Sequence, residues 1–260
     1  MIRRTIVFGA SFVGVAFLVL PVVAIFARVP PGRLVSQLGN GAVTDALRVS
    51  VETSAVAQAL VLLIGTPTAV VLARRFPGRG LLVSLVELPL VLPPAVAGIG
   101  LFAAFGRVGL LHTSIPFTKL AVVFAVALVS GPLYVRAAIA AFEGVDANVV
   151  AASRTLGAGP TRTFFRVVLP LARAGLAAGA ALALARGLGE FGATIMFAGS
   201  LRGVTETLPL AVYSEFAVPN GFDTALAIGA LLVVLSAALL ISLKWLPSLS
   251  TSRFRFAASS

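Results

Sequence analysis

The feature that most constrains this chain is a rhythm of long apolar runs. Six stretches, at about 5–27, 46–73, 81–105, 119–141, 171–198 and 222–246, are each mostly apolar. A helix crossing a bilayer needs roughly 20 such residues. A membrane barrel would instead show segments of about 10 residues alternating polar and apolar, which these are not. Composition agrees, with 59% hydrophobic and 11% charged residues, against about 25% charged in an ordinary soluble domain. The expected fold is all-α and integral to the membrane, with six transmembrane helices in a single domain over residues 1–260. The first run follows Arg3 and Arg4, as a signal peptide would. Its apolar core exceeds the roughly 7–15 residues of a signal, and no Ala-x-Ala site follows directly, so it reads as a retained helix.

The net charge of +11 would also suit a nucleic-acid binder. Such a protein gathers its basic residues on one solvated face; here they fall between apolar runs, so no nucleic-acid partner is expected. Their distribution sets an orientation, because short cytoplasmic loops carry the excess of Arg and Lys. One set of connections and termini holds ten: Arg3, Arg4, Arg74, Arg75, Arg79, Arg154, Arg162, Arg166, Arg253 and Arg255. The opposite set holds four: Arg28, Arg33, Arg107 and Arg202. This predicts a multi-pass protein of the inner (plasma) membrane with both termini in the cytoplasm. Residues 142–170 then form the longest inner loop.

Several chemistries are excluded by residue type. There is no cysteine, so no disulfide or thiolate. The single histidine, His112, has no neighbouring Cys or acidic cluster, and no metal site is expected. A phosphate-binding loop needs Gly-Lys-Ser/Thr, and the lysines are Lys119 after Thr118 and Lys244 after Leu243. The chain reads as a pathway, not an enzyme, with no catalytic residue and no cofactor of its own.

Within the inner loop, AASRTLGAGPTRTFFRVVLPLA (Ala151 to Ala172) is polar, basic and broken. Asn148 to Leu156 lack Gly and Pro and can form a helix. Gly157 suits the left-handed residue that ends one. Pro160 suits the first turn of a second helix, through the Thr161–Val168 region, and Pro170 marks a bend into the fifth span. Two readings stand: an interfacial loop whose arginines meet anionic lipid, or a docking surface for a cytosolic partner.

The spacing resembles the cytoplasmic loop of binding-protein-dependent ABC importer permeases. That pattern runs Glu-Ala-Ala, three residues, Gly, nine residues, an aliphatic, one residue, Leu-Pro. Here Ala151, Ala152 and Ser153 fill the triplet, Gly157 follows, and Val167, Leu169 and Pro170 close it. Ala151 replaces the usual Glu and Ser153 the second Ala. The resemblance implies that Arg154, Leu156 and Pro160, with the pattern residues, dock a separate ATPase and couple its closure to the membrane helices. It further implies a homodimer and two ATP-binding subunits that bind ATP and magnesium. An external binding protein would dock near 28–43, 106–118 and 199–221.

Three further stretches, RGLGEFGATIMFAGS (from Arg186), TETLPLAVYSEF (from Thr205) and ELPLVLPPAVAGIGLFAAFGRVGLL (from Glu87), are similar to the oxyanion branch of that family. They look most like molybdate or tungstate permeases; sulfate or thiosulfate is the alternative, and an ATP-independent channel or membrane scaffold lies further off. A dianion entering an inside-negative cell climbs about 4.6 kcal/mol per 100 mV, which favours coupled import over a passive pore.

Pro89, Pro93 and Pro94 break the hydrogen-bond ladder of the third span, and broken helices are tolerated where they line a cavity or are buried in protein. Pro93 and Pro94 are therefore pathway candidates, with a kinked packing helix the other reading. Glu190 lies four residues after Arg186, on the same helix face; the two form either a polar element of the pathway or a structural pair between helices. Glu52 and Glu87 pose the same question. The glycines of the fifth span, among them Gly175, Gly179 and Gly187, suit close helix contacts, a subunit interface included.

Overall fold

The computed structural model describes residues 2–30, 32, 36 and 39–245. Arg33, Arg253 and Arg255 lie outside the described residues. Helices account for all the regular structure among the described residues: α1 Ile2–Arg28, α2 Gly41–Leu72, α3 Arg79–Val91, α4 Pro94–Phe105, α5 Lys119–Glu143, α6 Ala147–Thr155, α7 Pro160–Thr163, α8 Leu169–Leu188, α9 Gly192–Ala198, α10 Leu208–Phe216 and α11 Phe222–Trp245. A π-helical turn, Phe164–Val168, joins α7 to α8.

Among the described residues the expected count of six spans is not matched exactly. Four helical stretches among the described residues are long and apolar enough to cross a bilayer: Val7–Arg28, Gly41–Leu72, Lys119–Glu143 and Pro160–Leu188. A fifth exists only if α3 and α4 are taken as one span, and they are bent by 111°. α11 contributes a shorter apolar run, Phe222–Ala238. The bend falls where Leu92 and Pro93 turn extended, with ψ of 136° and 131°. The residue before a proline is pushed out of the helical region, and here two prolines follow in a row. α3 and α4 have 13 and 12 residues, so each is about 20 Å long and short of a hydrocarbon core of about 30 Å.

The fifth span is displaced as well. Helix starts at Pro160, with no bend at Pro170, and runs unbroken to Leu188. Proline inside a helix clashes with the carbonyl four residues earlier. The wide turn just before it, closed by Leu169 N–H donating to Phe164 O, gives the Pro170 ring room. Residues 189–191 then interrupt the helix before α9.

The chain forms two compact units. The described residues of 1–51 and 199–237 make one, those of 52–198 and 238–260 the other. In the first, Val43 and Ala46 of α2, Leu208 and Ala211 of α10, and Ile228 of α11 form a core. Residues 199–221, expected as an outer loop, hold α10. Leu208 N–H donates to Ser50 Oγ at 2.7 Å, and Thr205, Glu206 and Thr207 are buried.

The second unit is organised on α5, whose Ala121, Val122, Ala125 and Ala138 are fully buried. α8 lies tightly against it. A Cβ added at Gly175 or Gly179 would come within 2.6 Å of Ala141 Cβ or Ala137 Cβ, and one at Gly187 within 2.9 Å of Val126 Cγ1. With fully buried Ala183, these residues repeat every four positions. This is the small-residue stripe that lets membrane helices approach without a hydrophobic drive. The stripe serves an intrachain contact.

Candidate coupling and pathway sites

The segment after α5 is a sequence of matched stops and starts. Glu143, near the end of α5, pairs with Arg79. Arg79 Nε also donates to Leu72 O at 2.6 Å, so one guanidinium ties the ends of α2 and α5 to the start of α3. Asp146 accepts from Asn148 N–H at 2.8 Å and caps α6, satisfying a donor that the first turn leaves free. α6 has nine residues and no buried one. Its end is a complete Schellman motif: Gly157 N–H donates to Arg154 O at 3.0 Å, and Ala158 N–H to Ser153 O at 3.1 Å. Gly157 takes φ of +84° with open space where a Cβ would stand. Glycine is therefore required here by backbone conformation and not by crowding.

Pro160 opens α7 at its first turn. Three residues on, Thr163 is buried, and its Oγ1 lies 3.1 Å from Ser153 Oγ. This hydroxyl pair braces α6 against the helix that continues into the membrane. Phe164 stacks obliquely on Phe142, ring centres 6.2 Å apart, and meets Phe165 edge-on at 5.1 Å, fixing the base of the segment to α5.

Of the predicted docking residues, Ala151, Ala152, Arg154, Gly157 and Pro160 are exposed and Leu156 is 88% exposed. Together with half-buried Ser153 they make one projecting element. Val167, Leu169 and Pro170 stand apart from it. Val167 is in the π turn, Leu169 packs against the core built on α5, and Pro170 opens α8. Asp146 and Thr163 were not anticipated. Asp146 carried a visible sign, an acidic residue immediately before a helix; Thr163 carried none, since its role depends on a partner ten residues away.

The pathway candidates meet at a second place. Pro93 caps α4 and Pro94 begins it. A Cβ on Gly192 would lie 2.8 Å from Pro94 Cβ, and one on Gly98 2.6 Å from Ala193 O. The break between α3 and α4 thus packs on the break between α8 and α9. Glu190 is buried in that second break. Its Oε1 accepts Ala193 N–H at 2.7 Å, and its Oε2 lies 2.9 Å from Arg186 Nη1. Both carboxylate oxygens are occupied in holding the junction.

The other glutamates of this unit are paired too, Glu52 with Lys119 at 2.7 Å and Glu87 with Arg136 at 3.6 Å. Acids at membrane depth are expected to find such partners. The arginines of the coupling segment, Arg154, Arg162 and Arg166, have no carboxylate partner among the described residues. No group of His, Cys or acidic residues able to hold a metal occurs among the described residues.

Short helices broken by proline and glycine, a stripe of small residues and a capped helix between two spans are features of a helical membrane protein. Residues 61–250 match the family described as "Binding-protein-dependent transport system inner membrane component", and the chain belongs to that family. It is 44% identical over 244 residues to the molybdenum transport system permease protein ModB of Mycobacterium bovis, covering 89% of this chain and 90% of that protein. It is 41% identical over 186 residues to the protein of the same name from Escherichia coli K12, covering 68% and 81%. Its fold is similar to that of a chain of the MetNI methionine ABC transporter in inward-facing conformations. There the TM-score is 0.63 at 21% identity, with 78% of this chain and 94% of that one covered. The chain is a membrane-embedded transport subunit of an ABC importer.

Proposed function

We propose that this chain is the transmembrane subunit of an ATP-driven importer of molybdate, with tungstate as a second substrate. It works as a homodimer whose pore lies between the two copies. α6 and the turn at Gly157 dock on a separate ATP-binding subunit, two of which serve the dimer. Those subunits bind ATP and magnesium; the permease holds no cofactor. An external binding protein hands the oxyanion to the side opposite α6, and both termini face the cytoplasm.

One observation carries the coupling assignment. α6 is a rigid, capped helix with no buried residue, yet it is tied by Ser153 and Thr163 to a helix that continues into the bilayer. A lever needs an exposed grip and a stiff connection to the element it moves, and this segment has both. A two-state pore can be biased by such a displacement. The substrate assignment is supported by near-full-length similarity to permeases named for molybdenum transport.

The test is a reconstituted transporter containing this chain, its ATP-binding subunit and its binding protein. Molybdate-loaded binding protein is expected to stimulate ATP hydrolysis and uptake, tungstate-loaded protein to do so comparably, and sulfate to leave the basal rate unchanged. Stimulation by sulfate alone would contradict the substrate assignment. Uptake independent of ATP would contradict the importer.

A further inference from the structure

A cleft of about 240 Å³ lies beneath the coupling helix, between the ends of α2 and α5 and the start of the α8 span. Its wall includes Val70, Phe142, Phe164 and Val168, and two guanidinium-bearing residues, Arg74 and Arg154, line it as well. Arg74 follows the last turn of α2 and Arg154 belongs to the last turn of α6. Neither has a carboxylate partner among the described residues, whereas all four glutamates of this unit are paired with other bases. The cleft therefore joins an apolar wall to two uncompensated positive charges, at the level where the spans end and the polar loop begins.

We propose that this cleft is a head-group site for an anionic phospholipid, its phosphodiester held between Arg74 and Arg154. Arginine matches the geometry of phosphate oxygens and makes charge-assisted hydrogen bonds with them. Basic pockets between membrane helices at the interface bind anionic head groups by this means. The volume is below the roughly 300–1,000 Å³ of a site that engulfs a small molecule. It suits a head group and first methylenes, with the acyl chains leaving along the apolar wall. Bound there, the lipid links the end of α2 to the coupling helix. The inference requires only that the loop lies at the membrane surface, so it survives if the docking assignment fails.

The test uses the full-length chain in detergent, titrated with phosphatidylglycerol or with phosphatidylcholine of the same acyl chains, and read by native mass spectrometry. Inorganic phosphate forms a separate arm. The wild-type chain is expected to retain phosphatidylglycerol in preference to phosphatidylcholine. The double variant Arg74→Gln/Arg154→Gln is expected to lose about thirty-fold in that affinity, reckoned from two surface arginines. Arg162→Gln/Arg166→Gln removes the same charge from residues that do not line the cleft and is expected to lose clearly less, at most several-fold, because no direct phosphate contact goes with it. Ala73 also lines the cleft, so Ala73→Leu fills it without altering charge and is expected to weaken retention too. Equal losses in the two arginine pairs would reduce the effect to diffuse adsorption and overturn the site. So would equal retention of both lipids, or displacement of the lipid by inorganic phosphate alone.

Discussion

The junction of broken helices around Glu190 and the coupling segment around Gly157 use the same residue types in opposite ways. At the junction, glycine is required by crowding: Gly98 and Gly192 leave no room for a Cβ. In the coupling segment, Gly157 has open space and is required by its backbone angle. The junction's carboxylate is buried with both oxygens bonded, whereas the segment's arginines are exposed. The first region is held together by its own contacts; the second, on the proposed reading, meets a partner. Substitutions in the two should therefore fail differently, in folding at the junction side and in energy coupling at the segment.

The largest effect is expected where helices touch. Gly179→Leu drives a side chain into Ala137 on α5 and is expected to cost about 3 kcal/mol, at the upper end of overpacking. The measurement is thermal unfolding in detergent. A melting temperature equal to wild type would show that α5 and α8 are not closely packed.

Glu190→Ala comes next. It uncaps α9 and leaves Arg186 without its partner. Breaking a fully buried pair costs roughly 3–5 kcal/mol, and partial exposure of Arg186 lowers the expectation to about 2 kcal/mol. Glu190→Gln retains an acceptor for Ala193 and is expected to recover part of the loss. A Glu190→Ala variant of normal stability and altered anion transport would move Glu190 into the pathway.

Gly157→Val inverts the pattern. A β-branched residue at φ of +84° costs about 1–2 kcal/mol of local strain but meets no neighbour. The protein is expected to insert normally and to melt only a few degrees lower, while oxyanion transported per ATP falls several-fold. A misfolded protein would place this glycine in the same class as Gly179.

Ser153→Ala has the smallest effect on stability, about 0.5–1 kcal/mol for one hydrogen bond. Its sharper consequence is on coupling. Transport per ATP is expected to drop, Thr163→Val is expected to match it, and the double variant to be no worse than either. Additive losses would mean that the two hydroxyls act separately.

Local rules served well where the cause is local. Gly157 and Pro160 follow from the chemistry of helix ends, and the spacing of Arg186 and Glu190 makes their pairing available within one turn. They failed where neighbours decide. Pro170 looks like a bend until a π turn absorbs it. The prolines at 93 and 94 announce a break but not a bend of 111°, which depends on how α4 packs on Gly192 and Ala193. The partners of Glu52 and Glu87, Lys119 and Arg136, lie far along the chain and belong to another helix. The run Thr-Leu-Pro-Leu at 207–210, read for its likeness to molybdate permeases, is also the start of α10, with Leu208 and Leu210 fully buried. Its pattern records packing in that unit.

Because the chain has no cysteine, Leu156→Cys introduces a single thiol at the exposed C-cap of the coupling helix. In the assembled transporter, a thiol-directed photocrosslinker on that residue is expected to capture the ATP-binding subunit, in a yield that changes with nucleotide. Capture of lipid alone, or of the ATP-binding subunit only from a position on the opposite face of the membrane, would contradict the assignment of α6 as the point where the two subunits engage.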